Sequence, residues 1–169
     1  MPPRAVLVGP MGAGKTTVGR ILAERWDVGM RDTDHDVEAE AGKSMQDIFV
    51  DDGEAHFRAL ERAAVSRALA EHEGVLSLGG GAVLDPETRV ALSGHPVVFL
   101  RVGLADASKR VGLGQGRPLL LGNVRSRIKT LLEERTPIYE SVAAVVVDTD
   151  GRAPAEIAAE IATRLEEQP

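Results

Sequence analysis

The stretch Gly9-Pro10-Met11-Gly12-Ala13-Gly14-Lys15-Thr16 decides the fold of this chain. It follows the apolar run Ala5-Val6-Leu7-Val8 and precedes a helical pattern, so a strand, a glycine-rich turn and a helix come in that order. Backbone N–H groups at a helix N-terminus attract anions, because they lack helical partners and the helix dipole is positive there. We therefore expect a phosphate-binding loop for a nucleoside triphosphate, with Lys15 at the β- and γ-phosphates and the Thr16 hydroxyl on Mg²⁺.

The composition fits one α/β domain with an aliphatic core. Of the 169 residues, 43% are apolar but only 3% are aromatic, which suits a single core of Val, Leu, Ile and Ala. We therefore interpret residues 1–169 as one domain. The formal net charge of −6 argues against a broad nucleic-acid-binding surface, which would need an excess of Lys and Arg.

Several classes of site and location are excluded or disfavoured by composition. The chain has no cysteine, which excludes disulfides and thiolate metal sites. Its histidines, at positions 35, 56, 72 and 95, lack the spacing of metal ligands, and we interpret them as surface or structural residues. No apolar run approaches the roughly 20 residues of a membrane span, and no targeting segment is recognised before the first strand. We expect a cytoplasmic protein without a membrane or nucleic-acid partner.

Short apolar runs alternate with helical patterns along the chain. The runs are Ala5 to Val8, Val75 to Leu78, Val97 to Val102 and Val145 to Val147, with a weaker candidate at Val28 to Met30. Such runs are typical of buried parallel strands, and their alternation with helices indicates βαβ units and a sheet covered on both faces. Ligands of such sheets bind beyond the carboxyl ends of the strands.

Two segments interrupt this alternation. Residues 33–61 contain an acidic helical stretch, a second short segment at 44–49 and the start of a long helix near Gly53. Residues 112–124 begin with a glycine-rich run that carries Arg117, which indicates a flap. Lids are a usual means of excluding water from phosphoryl transfer. We therefore expect one core with a substrate-binding insertion and a lid.

Two carboxylates follow the weak second strand. Asp32 and Asp34 are two residues apart, so in an extended chain both side chains would project to the same side, toward the phosphates. One could hold Mg²⁺, directly or through water, and the other could orient or deprotonate an acceptor hydroxyl. The structural alternative is that Asp34 caps a helix beginning near His35, and that role is compatible with chemistry.

The triplet Gly79-Gly80-Gly81 follows a central strand. In most proteins a glycine triplet is only a turn. At the end of a strand, however, three residues without side chains expose successive backbone N–H groups and allow a ligand to approach closely. We expect these amides to contact a hydroxyl or carboxylate of the substrate.

Arg58 lies at the edge of the apolar stripe of the long helix. Glu61, three residues on, can pair with it and fix the guanidinium, which would leave the fork free to bind a carboxylate bidentately. The alternative, for Arg58 as for Arg110, Arg117 and Arg135, is an ordinary surface arginine.

Together these segments resemble the shikimate kinase family. The resemblance extends from residue 4 to about residue 165 and rests on Gly9 to Thr16, Asp32-Thr33-Asp34, Phe57-Arg58, Gly79-Gly80-Gly81, Arg117-Pro118-Leu119 and Arg135-Thr136-Pro137-Ile138-Tyr139. It implies the nucleoside-monophosphate-kinase fold, a three-layer α/β architecture with a five-stranded parallel sheet of order 2-3-1-4-5. It also implies ATP-dependent phosphorylation of shikimate to shikimate 3-phosphate, a step toward chorismate and the aromatic amino acids.

The resemblance also implies roles for individual residues on the nucleotide side. The catalytic set would be Lys15, Asp34 and Arg117, with Arg117 neutralising the transferring group, and Mg²⁺ would be served by Thr16 and, through water, by Asp32. Arg110 and the turn at Arg152 and Pro154 would flank the adenine. The full ATP-binding set is Gly12, Ala13, Gly14, Lys15, Thr16, Thr17, Arg110, Arg117, Arg152 and Pro154.

On the acceptor side, the resemblance implies that Asp34 contacts the reacting hydroxyl and that Arg58 and Arg135 clamp the shikimate carboxylate. The amides at Gly80 and Gly81 would contact substrate oxygens. The full set is Asp34, Phe49, Phe57, Arg58, Gly79, Gly80, Gly81 and Arg135. Two features depart from the family pattern: the lid is unusually glycine-rich, and Arg135 aligns only if the segment after Arg117 varies in length.

Two other functions use the same motifs. A related small-molecule kinase, such as a gluconokinase, would keep the core but carry a different insertion. A nucleotide-gated binding module would usually lack the acceptor-side aspartate or the lid arginine, and both residue types are present here, at Asp34 and Arg117. We expect a monomer that binds ATP and shikimate.

Overall fold

The fold is built on a five-stranded, wholly parallel sheet. The computed structural model describes residues 3–10, 12–107 and 121–166. The strand order is β2-β3-β1-β4-β5, and every pairing is parallel. The strands are β1 (Ala5–Val8), β2 (Met30–Asp32), β3 (Val75–Ser77), β4 (Val97–Arg101) and β5 (Val145–Asp148). This is the sheet order implied by the resemblance.

Helices connect the strands and cover both faces of the sheet. The elements are α1 (Lys15–Trp26), α2 (Thr33–Ala41), α3 (Met45–Asp52), α4 (Glu54–Glu71), a 3₁₀ turn (Ala82–Leu84), α5 (Pro86–Leu92), α6 (Leu121–Val142) and α7 (Pro154–Glu166). Within the described ranges, no helix is both long enough and apolar enough to cross a membrane.

Strand residues alternate between two cores, as the period of a pleated strand requires. Leu7 and Val98 pack on one face with residues of α1 and α7. Val6 and Val8, one residue to either side of Leu7, pack on the other face with α4, α5 and Tyr139 of α6. Both faces of the central strands are therefore buried, which explains why these strands appear in the sequence as continuous apolar runs.

The second strand lies two residues later than predicted. The sequence suggested Val28 to Met30, whereas β2 spans Met30–Asp32. β2 is an edge strand, and all three of its residues are only half-buried, so no apolar run marks its position. The shift makes Asp32 the last residue of the strand, at the end where ligands of parallel sheets bind.

The segment 33–61 forms a helical subassembly with a small core of its own. Helices α2, α3 and α4 bury Val37, Ile48, Phe57 and, just beyond this segment, Ala64 against one another. The helix predicted from about Gly53 begins at Glu54, with Gly53 as its N-cap. In the predicted lid, residues 112–120 lie outside the described part of the chain, and residues 121–124 belong to the first turn of α6.

Candidate active site

A cavity of about 640 Å³ opens at the carboxyl ends of the strands. It joins the glycine-rich loop after β1, the start of α2, helices α3 and α4, the glycine triplet after β3 and one face of α6. The residues predicted from the sequence that line it are Gly12, Gly14, Lys15, Thr16, Thr17, Asp32, Asp34, Phe49, Phe57, Arg58, Gly79, Gly80, Gly81 and Arg135. Segments more than a hundred residues apart in sequence therefore share one space.

The glycine-rich loop ends in a helix N-terminus that faces the cavity. Gly12 and Gly14 both have left-handed backbone conformations, with φ of 83° and 94°, which glycine adopts without steric cost. Gly14 is the N-cap of α1, and no side chain caps this helix end. Ala13 is buried beneath the loop and does not line the cavity. The geometry is that of an anion site.

Lys15 is held at the mouth of this loop. Its Nζ donates to the carbonyl oxygens of Gly9 at 2.6 Å and Pro10 at 3.0 Å. Burial of the ammonium group lowers the pKa of Lys15 to about 8, although the nearby carboxylates of Asp34 and Asp32 act to raise it. A bound anion such as a phosphate would favour the charged form.

The two aspartates after β2 occupy different backbone environments. Asp32 is the N-cap of α2, and its Oδ1 accepts the N–H of Asp34 at 2.8 Å. The expectation that both residues lie in extended chain is therefore wrong, and so is the alternative that Asp34 caps the helix, since Asp32 does so. Both side chains nevertheless line the cavity.

Asp34 is a carboxyl group in an unfavourable place for its negative charge. Burial is the largest cause that raises the pKa of Asp34, and the charges of Asp32 and Glu61 raise it further, whereas Lys15 acts in the opposite direction. The resulting pKa is about 6. A carboxyl group with a pKa near neutrality, in a cavity and beside a lysine, has the properties of a group that can accept or orient a proton.

Arg58 is fixed by the partner that helical spacing predicts. Its Nη1 donates to Glu61 Oε1 at 2.8 Å, and its guanidinium lies 5.3 Å from the ring centroid of Phe57. Glu61 is only 3% exposed, and burial raises its pKa although the hydrogen bond and charge of Arg58 oppose this. Arg58 lines the cavity. Phe49 packs on Phe57 with ring centroids 4.5 Å apart.

The glycine triplet needs its lack of side chains. A Cβ at Gly79 would collide with Asp34 Oδ1, and one at Gly81 would lie 2.6 Å from Nη1 of Arg58. The N–H of Gly79 donates to the buried Thr33 Oγ1 at 3.3 Å. At Gly79 or Gly81, a larger residue would displace a charged side chain that lines the cavity.

The outer nucleotide residues predicted from the sequence lie apart from this cavity or beyond the described residues. Arg152 donates to the Asp148 carbonyl at 2.9 Å and to Glu160 Oε1 at 2.7 Å, and Pro154 is the first residue of α7. Neither lines the cavity. Arg110 and Arg117 lie outside the described ranges.

Apolar residues of the cavity wall were not predicted. Met45, Ile128, Leu131 and Leu132 contribute to the lining. The three on α6 recur with Arg135 at helical spacing, but such a stripe is ordinarily part of a core, and Ile128 and Leu132 also pack against the core. Only the packing of α6 across the sheet shows that these two residues line the cavity as well as packing against the core.

The oxygen atoms near the loop suit a hard cation that is coordinated mainly by a bound nucleotide and water. In the described ranges no group of three or more His, Cys, Asp or Glu residues forms a metal site. Thr16 and Asp32 line the cavity, and only Oδ1 of the Asp32 carboxylate is used in the helix cap. A hydroxyl and a carboxylate oxygen are ligands that Mg²⁺ accepts alongside phosphate oxygens and water. The residues therefore fit Mg²⁺ bound together with a nucleotide.

Comparison with known proteins gives one consistent family. A family model described as shikimate kinase matches residues 11–166. A shikimate kinase of Salinispora arenicola is 60% identical over 165 residues, which cover 98% of this chain and 99% of that protein. The solved structure of a shikimate kinase from Acinetobacter baumannii in complex with shikimate has a TM-score of 0.89 and 34% identity, covering 98% of this chain and 93% of that one.

A more distant likeness concerns the fold alone. The structure of a gluconokinase from Sinorhizobium meliloti has a TM-score of 0.60 at 22% identity, over 98% of this chain and 92% of that one. The two proteins share an architecture, and a shared architecture does not by itself imply a shared function.

Proposed function

Because the chain belongs to the shikimate kinase family, we propose that it transfers the γ-phosphoryl group of ATP to the 3-hydroxyl of shikimate, giving ADP and shikimate 3-phosphate. The observation that carries this proposal is one cavity with a phosphate-binding loop on one side and Asp34, Arg58, Arg135 and the glycine triplet on the other. An anion-binding donor half and an acceptor half for a hydroxylated carboxylate thus share one space.

In the donor half, the uncapped N-terminus of α1 and the Lys15 ammonium receive the phosphates. On binding, Lys15 exchanges the carbonyls of Gly9 and Pro10 for phosphate oxygens. Thr16 and Asp32 would hold Mg²⁺, whose chemistry is to neutralise the phosphate oxygens during transfer. Arg152 and Pro154 would flank the adenine together with Arg110, and Arg117 would neutralise the transferring phosphoryl group; both Arg110 and Arg117 lie outside the described ranges.

In the acceptor half, Arg58 and Arg135 bind the carboxylate, because a guanidinium fork matches its two oxygens. Glu61 holds the Arg58 fork in place by the 2.8 Å bond. Glycine amides contact hydroxyl groups, and the aromatic pair Phe49 and Phe57 forms an apolar wall. The ring of shikimate would then lie between the two arginines at one end and the phosphate-binding loop at the other.

Asp34 lies where the acceptor hydroxyl must meet the phosphate. Phosphoryl transfer depends chiefly on positioning and charge neutralisation, so the main task of Asp34 is to orient the hydroxyl and receive its proton as the O–P bond forms. The γ-phosphoryl bond to the ADP oxygen breaks at the same time. The segment 33–61 is the substrate-binding insertion of a single kinase domain in this proposal, and the protein acts as a monomer.

The test is ADP release measured in parallel with shikimate, quinate, gluconate and AMP as acceptors, with ³¹P and ¹H NMR to locate the phosphate on the product. Turnover with shikimate and a 3-phosphate product are expected. Activity confined to gluconate or AMP would overturn the proposal in favour of a related kinase. Nucleotide binding without turnover of any acceptor would favour a nucleotide-gated binding module.

A further inference from the structure

Tyr139 connects α6 to the glycine triplet from behind the cavity wall. The residue is fully buried, and its hydroxyl donates to the carbonyl oxygen of Gly80 at 2.5 Å. Its ring stacks on Phe99 of β4, with centroids 5.0 Å apart. Core packing fixes the ring and with it the position of the hydroxyl oxygen beside Gly80.

This hydrogen bond sets the orientation of a peptide group that borders the cavity. In a trans peptide the C=O and the following N–H point in opposite directions. With the Gly80 carbonyl directed at Tyr139, the N–H of Gly81 points the opposite way, and no backbone carbonyl of the described residues accepts it. Both residues line the cavity, whereas Tyr139 does not.

Without such a bond this peptide would be free to turn over. A peptide flip changes ψ of the first residue and φ of the second, and here both residues are glycine, which has access to most of that conformational space. A flip would aim the Gly80 carbonyl, an acceptor with a partial negative charge, at the place where substrate oxygens are expected. The flipped peptide would repel substrate oxygens that the Gly81 N–H otherwise attracts.

Tyr139 also lies one helical turn after Arg135, on the same face of α6. Burial raises the pKa of Tyr139 and the nearby charge of Arg135 opposes this, so the guanidinium lies close to the hydroxyl that donates to Gly80. A single side chain thus lies next to two groups of the proposed acceptor half: Arg135 on α6 and the glycine triplet after β3.

We propose that Tyr139 is a positioning residue for acceptor binding: it locks the Gly80–Gly81 peptide with its N–H toward the substrate and keeps Arg135 beside it. The inference rests on the proposed function and deepens it. Tyr139 touches no substrate in this account and acts through the two groups that do.

The test is Tyr139→Phe, which keeps the ring and its stacking on Phe99 and removes only the hydroxyl. We expect KM and Kd for shikimate to rise about tenfold, the effect of one well-directed hydrogen bond, while KM for ATP stays within twofold. The matched control is Ser141→Ala, which removes another hydroxyl of α6 that donates to a backbone carbonyl, that of Ile138 at 2.7 Å, on a side chain that does not line the cavity. Both KM values should be unchanged in this variant.

A purely structural role for Tyr139 predicts a different pattern. Tyr139→Phe would then lower Tm without separating the two KM values, or would raise both equally, and either result would overturn the proposal. A second measurement needs no variant: with ¹⁵N-glycine labelling, the Gly81 amide proton of the wild type should shift downfield when shikimate binds. An unmoved Gly81 resonance would overturn the proposal too.

Failure of the positioning role is distinguishable from failure of the proposed function. A wild-type protein that forms no ADP with shikimate contradicts the function, whatever the variant does. A wild type that turns over shikimate normally, beside a Tyr139→Phe variant with unchanged KM for shikimate, contradicts the positioning role alone.

Discussion

Burial acts in opposite directions on the two charged residues closest to the proposed reaction. It lowers the pKa of Lys15 to about 8 and raises that of Asp34 to about 6, because burial disfavours the charged form of each. Each residue partly offsets the shift of the other through their mutual attraction. Between these two pKa values, both side chains are mostly charged, which is the state that binds phosphate and accepts a proton.

The first prediction is a bell-shaped pH profile. At saturating shikimate, kcat/KM for ATP should rise with pH as Asp34 ionises near pH 6, and fall as Lys15 loses its proton near pH 8. In the profile of kcat, the alkaline limb should move to higher pH, because bound phosphates favour the charged lysine. A profile of kcat/KM that is flat from pH 5 to pH 7 would contradict the role given to Asp34.

The second prediction concerns the close approach of Gly79 to Asp34. In Gly79→Ala the new methyl group would collide with Asp34 Oδ1 and would lie 3.2 Å from Glu61 Oε2, so the Asp34 carboxylate must move. We expect kcat to fall about 100-fold, since displacing a reacting group by about 1 Å has effects of that size. The assay is ADP release, with circular dichroism to verify the fold.

Gly29→Ala is the matched control for this substitution. A Cβ at Gly29 would meet only Cε1 of His72, at an ordinary 3.6 Å, and neither residue lines the cavity. Its kcat should equal that of the wild type. If Gly79→Ala retained kcat within threefold, the proposed placement of Asp34 would be wrong.

At the scale of elements, the strands differ in how visible they are in sequence. β1, β3, β4 and β5 match their apolar runs closely, whereas β2 is displaced by two residues. The difference follows from burial: β1 and β3 are buried at every position, while β2 is half-buried throughout. A continuous apolar run reports burial on both faces, so it gives little signal for a strand that is half-buried throughout, such as β2 with Asp32 at its end.

Two loops beside the proposed adenine site, after β4 and after β5, are joined by reciprocal aspartate contacts. The carboxylate of Asp150, after β5, accepts the N–H of Gly103 at 2.9 and 3.0 Å. In return, the N–H of Gly151 donates to Asp106 Oδ2 at 3.1 Å, on the segment after β4. The turn after β5 that leads to Arg152 and Pro154 is therefore held by hydrogen bonds to the segment that follows β4.

The third prediction is that Asp150→Ala loosens this turn and weakens nucleotide binding selectively. KM for ATP should rise about fivefold, as expected for the loss of roughly 1 kcal/mol of hydrogen bonding, with KM for shikimate unchanged. Initial-rate measurements with each substrate varied will separate the two constants. The control is Asp51→Ala, which removes an exposed carboxylate of α3 that pairs with Lys43 and should change neither constant. An equal rise of both constants in Asp150→Ala would contradict a local role.

At the scale of the whole molecule, the site is a product of topology. Charged and glycine residues of the cavity could be predicted because their types and spacings have few uses: a lysine in a glycine-rich loop, an arginine with Glu61 one turn on, a glycine triplet after a strand. Ile128, Leu131 and Leu132 could not, because an apolar stripe on α6 has the same pattern whether it faces a core or a ligand. Likewise, the sequence does not indicate the positioning role proposed for Tyr139, because that role depends on the packing of α6 beside the triplet.

The fourth prediction follows from the division of the cavity into two halves. A ligand that binds only the folded state stabilises it by about 2.7 kcal/mol at a hundredfold excess over Kd, which in a chain of this size raises Tm by roughly 5–10 °C. Shikimate alone, and a non-hydrolysable ATP analogue with Mg²⁺, should each produce such a shift in differential scanning calorimetry. Because the proposed metal ligands, Thr16 and Asp32, lie in the donor half, EDTA should reduce the nucleotide shift and leave the shikimate shift intact. Arg58→Gln, which removes one guanidinium from the acceptor half, should do the reverse. If EDTA abolished the shift with shikimate, the metal would belong to the acceptor half and the proposed division of the cavity would be wrong.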